Sequence, residues 1–143
     1  MPNNFWIKYK PLTYEEAIHF HGHDGPFLAL GYRAGMYARQ VLKPKGIMGL
    51  ECIVEVRNEK PWTCAIDGIQ CATCCTPGKG ILKIKETTEK VVTISFKNRK
   101  TQETLNLKIK DEIFERFKNI DDLKKGAQEV LNTPIDNLFL ISS

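Results

Sequence analysis

All three histidines and four of the five cysteines of this chain of 143 residues lie in two short segments. The histidines are His19, His21 and His23, and the four cysteines fall between Cys64 and Cys75. Imidazole nitrogen and thiolate sulfur are the ligands that borderline cations such as zinc prefer. The two segments therefore predict either a metal site or a redox-active thiol site.

His21 and His23 flank Gly22 in a segment that we expect to form a turn between two helices. If the segment is locally extended, both rings project to the same side and can chelate one ion. The alternative is a pair of polar turn residues that cap the ends of neighbouring helices.

The cysteine segment contains Cys71-Ala-Thr-Cys74, a spacing found in zinc sites and in dithiol redox centres. A closed structural zinc site would show a second such pair, or a pair of histidines further along, and the sequence has neither. A proline- and glycine-rich loop follows Cys75, whereas a thioredoxin-like motif lies between a strand and a helix. A metal site, a redox site and a set of buried inert thiols all remain open, and Cys52 is interpreted as a core residue.

Two charged residues near the cysteines are candidates for the chemistry itself. Asp67 is the carboxylate best placed to hold a metal ligand in position or to act as a general base. Lys79 lies in Thr76-Pro-Gly-Lys-Gly80, which lacks the first glycine and the final Ser or Thr of a phosphate-binding P-loop. This loop predicts an anion or carboxylate site with Lys79 as the counter-charge, or simply a tight turn that leads into a strand.

The composition is that of an ordinary globular protein, with 42% hydrophobic and 27% charged residues, and we expect one domain over residues 1–143. The net charge of +4 comes from scattered lysines, and no groove-reading motif appears, so nucleic-acid binding is not expected. No apolar run approaches the roughly twenty residues of a spanning helix, and no signal peptide is visible. We expect a cytoplasmic protein without membrane insertion, in which an odd number of reduced cysteines favours ligands or reactive thiols over disulfides.

The N-terminal elements that must position the histidines are two helices. Thr13 and Glu16 have the spacing of a capping box and predict a helix that ends near Phe20. Pro26–Leu42 predicts a second helix, with Asp24 as a possible N-cap. Gly31 and Gly35 in this helix would let another backbone approach closely, which suits a central core helix or a dimer contact; we favour the core.

The remaining pattern predicts a sheet followed by helices. Strands are expected at 47–57, 81–85, 91–97 and 104–110, with residues 86–90 as a hairpin turn between the second and third. Helical segments are expected at 64–70, 111–118 and 121–131, and Thr133-Pro134 begins a last short turn. The fold class is therefore α+β, with N-terminal helices, a central and mainly antiparallel sheet, and C-terminal helices.

Taken together, these segments closely resemble the family of formylmethanofuran dehydrogenase E subunits over roughly residues 13–97. The resemblance implies an α+β domain that forms an intertwined homodimer, with a His/Cys metal site in a cleft. The zinc-finger module of some members is not expected, because no cysteine follows Cys75. The motifs are His21-Gly-His23-x-x-Pro26, Leu28-Ala-Leu-Gly31-Tyr-Arg and Cys64-x-x-Asp67-x-Ile69-Gln70-x-x-Thr73-x-Cys75-Thr76-x-Gly78-Lys79-Gly80.

The resemblance also implies the composition of the site. The metal residues would be His21, His23, Cys64 and Cys75, around zinc or another divalent transition metal. Not all four need be direct ligands, and fewer than four would leave a coordination position for water or substrate. Asp67, Lys79 and Cys74 are the candidate catalytic or orienting residues.

This chain departs from the family pattern at several positions in the two segments. Gly25 stands where the family has cysteine, and Cys74 stands where it has glycine; Phe27 and Ile81 replace a glycine and an asparagine. One sulfur is thus lost from the histidine segment and one is gained in the cysteine segment. We hypothesise that Cys74 restores the lost sulfur from the other side of the site.

The function implied by the resemblance is metal binding, either in an enzyme or in handling metal or cofactor for an anaerobic molybdenum or tungsten oxidoreductase. A different class of function is thiol redox chemistry or sulfur transfer by Cys71, Cys74 and Cys75. A third is a non-catalytic accessory subunit that docks onto such an oxidoreductase complex.

Overall fold

The computed structural model describes residues 10–143. The predicted single domain over residues 1–143 and the predicted lack of a signal peptide both involve residues 1–9, which lie outside the described residues. Between residues 10 and 143, no helix is both long and apolar enough to cross a membrane. N-terminal helices precede a mainly antiparallel sheet and C-terminal helices, so the α+β prediction is confirmed.

The first two helices begin where the sequence predicts. Helix α1 (Tyr14–His21) starts with a capping box, in which the Thr13 side chain accepts from the Glu16 N–H and the Glu16 side chain accepts from the Thr13 N–H. Helix α2 (Pro26–Leu42) starts at the proline, but its N-cap is Gly25 without a side-chain cap. The prediction that Asp24 caps α2 is therefore wrong, because the Asp24 carboxylate is used within the preceding turn.

A five-stranded sheet forms within the described residues, in the order β2-β1-β3-β4-β5. Strand β2 runs parallel to β1, and all other neighbours are antiparallel. Helix α3 (Cys64–Thr73) makes the crossover between β1 and β2, as parallel neighbours require. The strands are β1 (Leu50–Val56), β2 (Leu82–Glu86), β3 (Val92–Asn98), β4 (Thr104–Ile109) and β5 (Phe139–Ser142).

The predicted hairpin between β2 and β3 is wrong, because β1 lies between these two strands. Val54 at the centre of β1 is paired with Ile84 of β2 on one side and with Ile94 of β3 on the other. The residues of β1 that alternate with the exposed Ile53 are buried, and the backbone groups of a central strand are satisfied when both of its edges are paired. The short connection after β2 therefore passes the end of β1 instead of folding back on its own strand.

The C-terminal helices agree with the predicted segments, but the last strand was not predicted. Helices α4 (Asp111–Phe117) and α5 (Leu123–Leu131) are followed by α6 (Ile135–Leu138), which occupies the predicted last turn. Strand β5 then pairs with β4 and closes the edge of the sheet.

Helix α2 is the centre of the core, and it contacts the sheet as well as α3 and α5. A Cβ added at Gly31 would lie 2.0 Å from the carbonyl oxygen of Ala65, and one at Gly68 would lie 2.2 Å from that of Leu28. The backbones of α2 and α3 are therefore in direct contact, which only glycine permits. The interpretation of α2 as a core helix is confirmed, and the contact fixes the start of α3 beside the turn between α1 and α2.

Candidate metal centre

The turn between α1 and α2 presents two histidines because α1 ends on a glycine. Gly22 has φ 105°, a left-handed conformation that favours glycine, and its N–H bonds the Ile18 carbonyl at 2.7 Å. His21 is the last residue of the helix and His23 is the first residue beyond the cap. Their rings lie 4.5 Å apart between centroids.

Asp24 holds this turn in place. Its Oδ1 accepts hydrogen bonds from the Tyr14 hydroxyl at 2.5 Å and from the Gly25 N–H at 2.9 Å. Burial, together with the Asp24 carboxylate, raises the pKa of Tyr14 well above its usual range, so the hydroxyl remains a donor. The His23 Nδ1 lies 2.8 Å from the Asp24 carbonyl oxygen, which can only accept, so Nδ1 carries the hydrogen and Nε2 remains available.

Helix α3 brings Cys64 and Asp67 to the same turn. Cys64 is the first residue of α3 and Asp67 follows almost one turn later, so both side chains lie on one face. One ligand atom from each of His21, His23 and Cys64 lies within 4.8 Å of the others, and among residues 10–143 this is the group able to hold a metal ion. Two segments far apart in the sequence therefore converge on one point.

The hydrogen bonding of His21 fits a bound cation. Its Nδ1 donates to Asp67 Oδ2 at 2.6 Å, because an ionised carboxylate is only an acceptor. Its Nε2 is buried and has no hydrogen-bond partner within the described residues. Buried polar atoms are nearly always satisfied, so an orphaned imidazole nitrogen beside a second histidine and a thiol points to a metal ligand.

The Cys64 thiol has the properties of a ligand that needs a metal to ionise it. Burial, and next the charge of Asp67, raise the pKa of this half-buried thiol, while Lys60 acts in the opposite direction. In the absence of a cation the neutral thiol is thus favoured at neutral pH. A bound divalent ion reverses that preference, because coordination stabilises the thiolate.

Two clefts meet at Cys64. We call the first the polar cleft; it has a volume of about 580 Å³, and His21, Lys60, Asp67 and Glu86 are among its lining residues. The second, the apolar cleft, has a volume of about 320 Å³. Cys64 and Lys60 line both clefts, and His23 lines the apolar one. The apolar cleft is lined mainly by Phe27, Leu28, Pro61, Phe117, Ile120 and Leu123.

Cys75, predicted as the fourth metal residue, lies outside this group. It is fully buried, and its Sγ donates to the Leu50 carbonyl oxygen at 3.2 Å while its N–H bonds the Thr73 hydroxyl. Cys52 is its neighbour, and the hydrogen bond between the two thiols, with burial, raises the pKa of Cys52. This pair belongs to the core under α2, as predicted for Cys52 alone.

Cys74 lies at the opposite end of α3 from Cys64, about 15 Å away along the helix axis. It ends the helix in a left-handed conformation, with φ 64°, and its Sγ is 3.8 Å from the Lys10 carbonyl oxygen. This position gives no support to the hypothesis that Cys74 replaces the sulfur missing at Gly25. Burial raises the pKa of Cys74, and it raises that of Cys71 to about 11, so neither thiol is an activated thiolate.

Lys79 is engaged in the loop that follows α3. Its Nζ donates to the Cys74 carbonyl oxygen at 2.6 Å and to the Thr76 hydroxyl at 3.1 Å. The tight-turn alternative therefore agrees with the structure, and the ammonium group is already used by the protein.

Lys60 is the residue of the site that the sequence did not indicate. It lies in the connection before α3 and lines both clefts, and its side chain makes no ion pair or hydrogen bond within residues 10–143. A lone lysine among many scattered ones carries no signal of its own in a sequence. Only its position four residues before Cys64 could have suggested that it acts beside the thiol.

A comparison with known families finds a match that covers most of the chain. The model described as "FmdE, Molybdenum formylmethanofuran dehydrogenase operon" matches residues 20–140, which include both histidines of the site and every cysteine. A comparison with proteins of curated function finds no match.

Proposed function

This chain belongs to the FmdE family, and from that membership and the geometry of the site we propose that it is a metal-binding protein with His21, His23 and Cys64 as ligands. The observation that carries the proposal is the buried Nε2 of His21, which has no partner in the part of the chain that the structure describes. Asp67 holds this ring through its other nitrogen, the arrangement typical of metal-ligating histidines. Without a cation the buried nitrogen would cost the protein about 1–3 kcal/mol.

The donor set favours zinc or another borderline divalent transition metal. Two imidazoles and one thiolate suit such ions better than magnesium or calcium, which prefer oxygen. Three protein ligands leave a coordination position, and a metal ion in such a site polarises a bound carbonyl or lowers the pKa of a bound water. Around it, Asp67 fixes the tautomer of His21, and the two clefts offer room for a ligand.

The alternative of thiol redox chemistry by Cys71, Cys74 and Cys75 has less support. Burial raises the pKa of Cys71 and Cys74, which disfavours the thiolate that such chemistry needs. Cys75 is enclosed in the core and paired with a backbone carbonyl. These thiols are better explained as structural residues.

Metal analysis of protein without an affinity tag tests the proposal. We expect about one zinc or cobalt ion per chain in the wild type, and loss of that ion from His21→Ala. His19→Ala is the matched control, because His19 is an exposed histidine on the same helix. Equal metal content in the two variants, or a metal-free wild type after loading with cobalt, would refute the proposal.

Family membership supports two further proposals about partners. We propose that the chain acts in the cytoplasm as a homodimer, and that it works with a molybdenum or tungsten oxidoreductase, as enzyme, metal or cofactor carrier, or accessory subunit. Light scattering on the purified protein tests the first, and a monomer at micromolar concentration would contradict it. Co-purification from the native host tests the second; a molybdenum- or tungsten-containing enzyme absent from the eluate would contradict it.

A further inference from the structure

The two clefts that meet at Cys64 differ in chemistry, and this difference indicates a class of ligand. The apolar cleft is formed by the turn before α2 and the start of α2, by the connection before α3 and its first residue, and by the chain from the end of α4 to the start of α5. Its volume of about 320 Å³ is at the lower end of the range for small-molecule sites. It has room for one aromatic ring or a short branched hydrocarbon chain.

The apolar cleft contains one cation that has no ion pair within the described residues. Lys60 reaches both clefts, and within residues 10–143 its ammonium group has no partner. Lys118, the other cation of the apolar cleft, is already paired with Glu115 at 2.5 Å. Lys60 is therefore the cation available to an anionic ligand.

The polar cleft limits how much negative charge such a ligand can carry. Asp67 and Glu86 both line it, and their carboxylates disfavour a dianion near Cys64. A single negative charge can be balanced by Lys60 without meeting this repulsion at full strength. A carboxylate fits that requirement better than a phosphate.

We propose that the site takes a small apolar carboxylic acid, with its hydrocarbon part in the apolar cleft and its carboxylate against Lys60 beside Cys64. This inference rests on the proposed metal-binding function, since the carboxylate would lie next to the metal residues. It goes beyond that function because it names the chemical class of the ligand and the residue that selects it.

Binding of 3-phenylpropanoate to the cobalt-loaded protein tests the inference, with calorimetry and the visible spectrum of cobalt as readouts. We expect 3-phenylpropanoate to bind at least about tenfold more tightly than propanoate, because the ring buries apolar surface. It should also bind more tightly than 3-phenylpropanol, which lacks the charge. Equal binding of propanoate, or tighter binding of benzylphosphonate at an alkaline pH where it carries two negative charges, would overturn the assignment.

Matched lysine variants test the selecting residue. Lys60→Gln should lower the affinity for 3-phenylpropanoate about fivefold, as expected for a charge-assisted contact at a partly exposed site. The affinity for 3-phenylpropanol should be unchanged. Lys118 lies in the same cleft but is paired with Glu115, so Lys118→Gln should change the affinity for either ligand less than twofold. Equal losses in the two variants, or none, would overturn the role of Lys60. Since cobalt binding is followed in the same samples, failure of the acid to bind a cobalt-loaded protein refutes this inference alone, whereas failure to load cobalt refutes the metal site.

Discussion

Thiols and other polar side chains gather at both ends of α3, and the two ends differ in whether these side chains have partners within the described residues. At the first end, His21 Nε2 is buried and accepts no hydrogen bond from any residue between 10 and 143, and Cys64 lines two clefts. At the second end, Lys79 bonds the Cys74 carbonyl oxygen, and the Cys75 thiol bonds the backbone of β1.

The difference separates residues that are available for a ligand from residues that hold the fold. A thiol or an ammonium group that already donates to a buried carbonyl contributes to stability, and removing it leaves an acceptor unsatisfied. An orphaned imidazole nitrogen is costly in the isolated protein and is compensated only by a ligand. We therefore expect variants at the first end to lose metal, and variants at the second end to lose stability.

The largest difference in metal affinity is expected when each of the two half-buried cysteines, Cys64 and Cys74, is replaced by serine. Cys64→Ser should lower the affinity for cobalt more than about 100-fold, since it removes a direct ligand, whereas loss of a residue that only supports a ligand costs 10–100-fold. Cys74→Ser, at the opposite end of the same helix, should change the affinity less than twofold. Competition with a chromophoric chelator measures both. Similar losses in the two variants would remove the distinction between the ends.

A smaller loss of metal is expected when Asp67 is changed. Asp67→Ala should weaken cobalt binding by about 10–100-fold, because His21 loses the acceptor that fixes its ring and tautomer. Asp67→Asn should cause a loss of cobalt affinity at the lower end of this range, since the amide oxygen still accepts a hydrogen bond from Nδ1 of His21. Glu86→Gln is the control, because this carboxylate lines the polar cleft but makes no hydrogen bond to His21. Retention of full affinity in Asp67→Ala would show that the ring needs no support.

Metal affinity should also rise with pH through the Cys64 thiol. Burial and Asp67 raise the pKa of this thiol above its ordinary value, so the metal-free protein keeps the proton and binding releases it. One released proton corresponds to about a tenfold gain in affinity for each pH unit between pH 7.5 and 8.5, and to a loss of the same size as the pH falls. In Cys64→Ser, metal binding should release one proton fewer, so the slope of the logarithm of affinity against pH should decrease by one. An unchanged slope would mean that the thiolate is not a ligand.

The sequence predicted that the histidine and cysteine segments meet at one site, but it did not predict correctly which cysteines lie there. The His21-Gly22-His23 turn follows from a helix that must end on glycine, and the spacing of Cys64 and Asp67 on one helix face is a local property. The place of Cys75 depends on a contact with Leu50 of β1, which no local pattern encodes.

The same limit explains the errors in the sheet. Strand positions followed from alternating apolar residues, such as Val92, Ile94 and Phe96 of β3, and these were predicted well. The order of the strands did not follow, because the insertion of β1 between β2 and β3 depends on the α3 crossover. Strand β5 is only four residues long and becomes a strand by pairing with β4.

The smallest effect on the metal, and the clearest effect on the fold, is expected from Lys79→Met. The ammonium group donates to the Cys74 carbonyl oxygen and to the Thr76 hydroxyl, so its removal should cost about 1–2 kcal/mol of unfolding free energy. Urea denaturation measures this loss, with Lys83→Met, an exposed lysine of β2, as the control expected to change stability by less than about 0.5 kcal/mol.

Cobalt affinity and 3-phenylpropanoate binding should both stay within twofold of the wild type in Lys79→Met. If Lys79 were instead the anion-binding residue predicted from the sequence, stability would be unaffected and binding of the acid would fall. That outcome would place the ligand site at the second end of α3 instead of the first. It would also show that the two hydrogen bonds of the Lys79 ammonium group do not stabilise the loop, since their removal would not lower the free energy of unfolding.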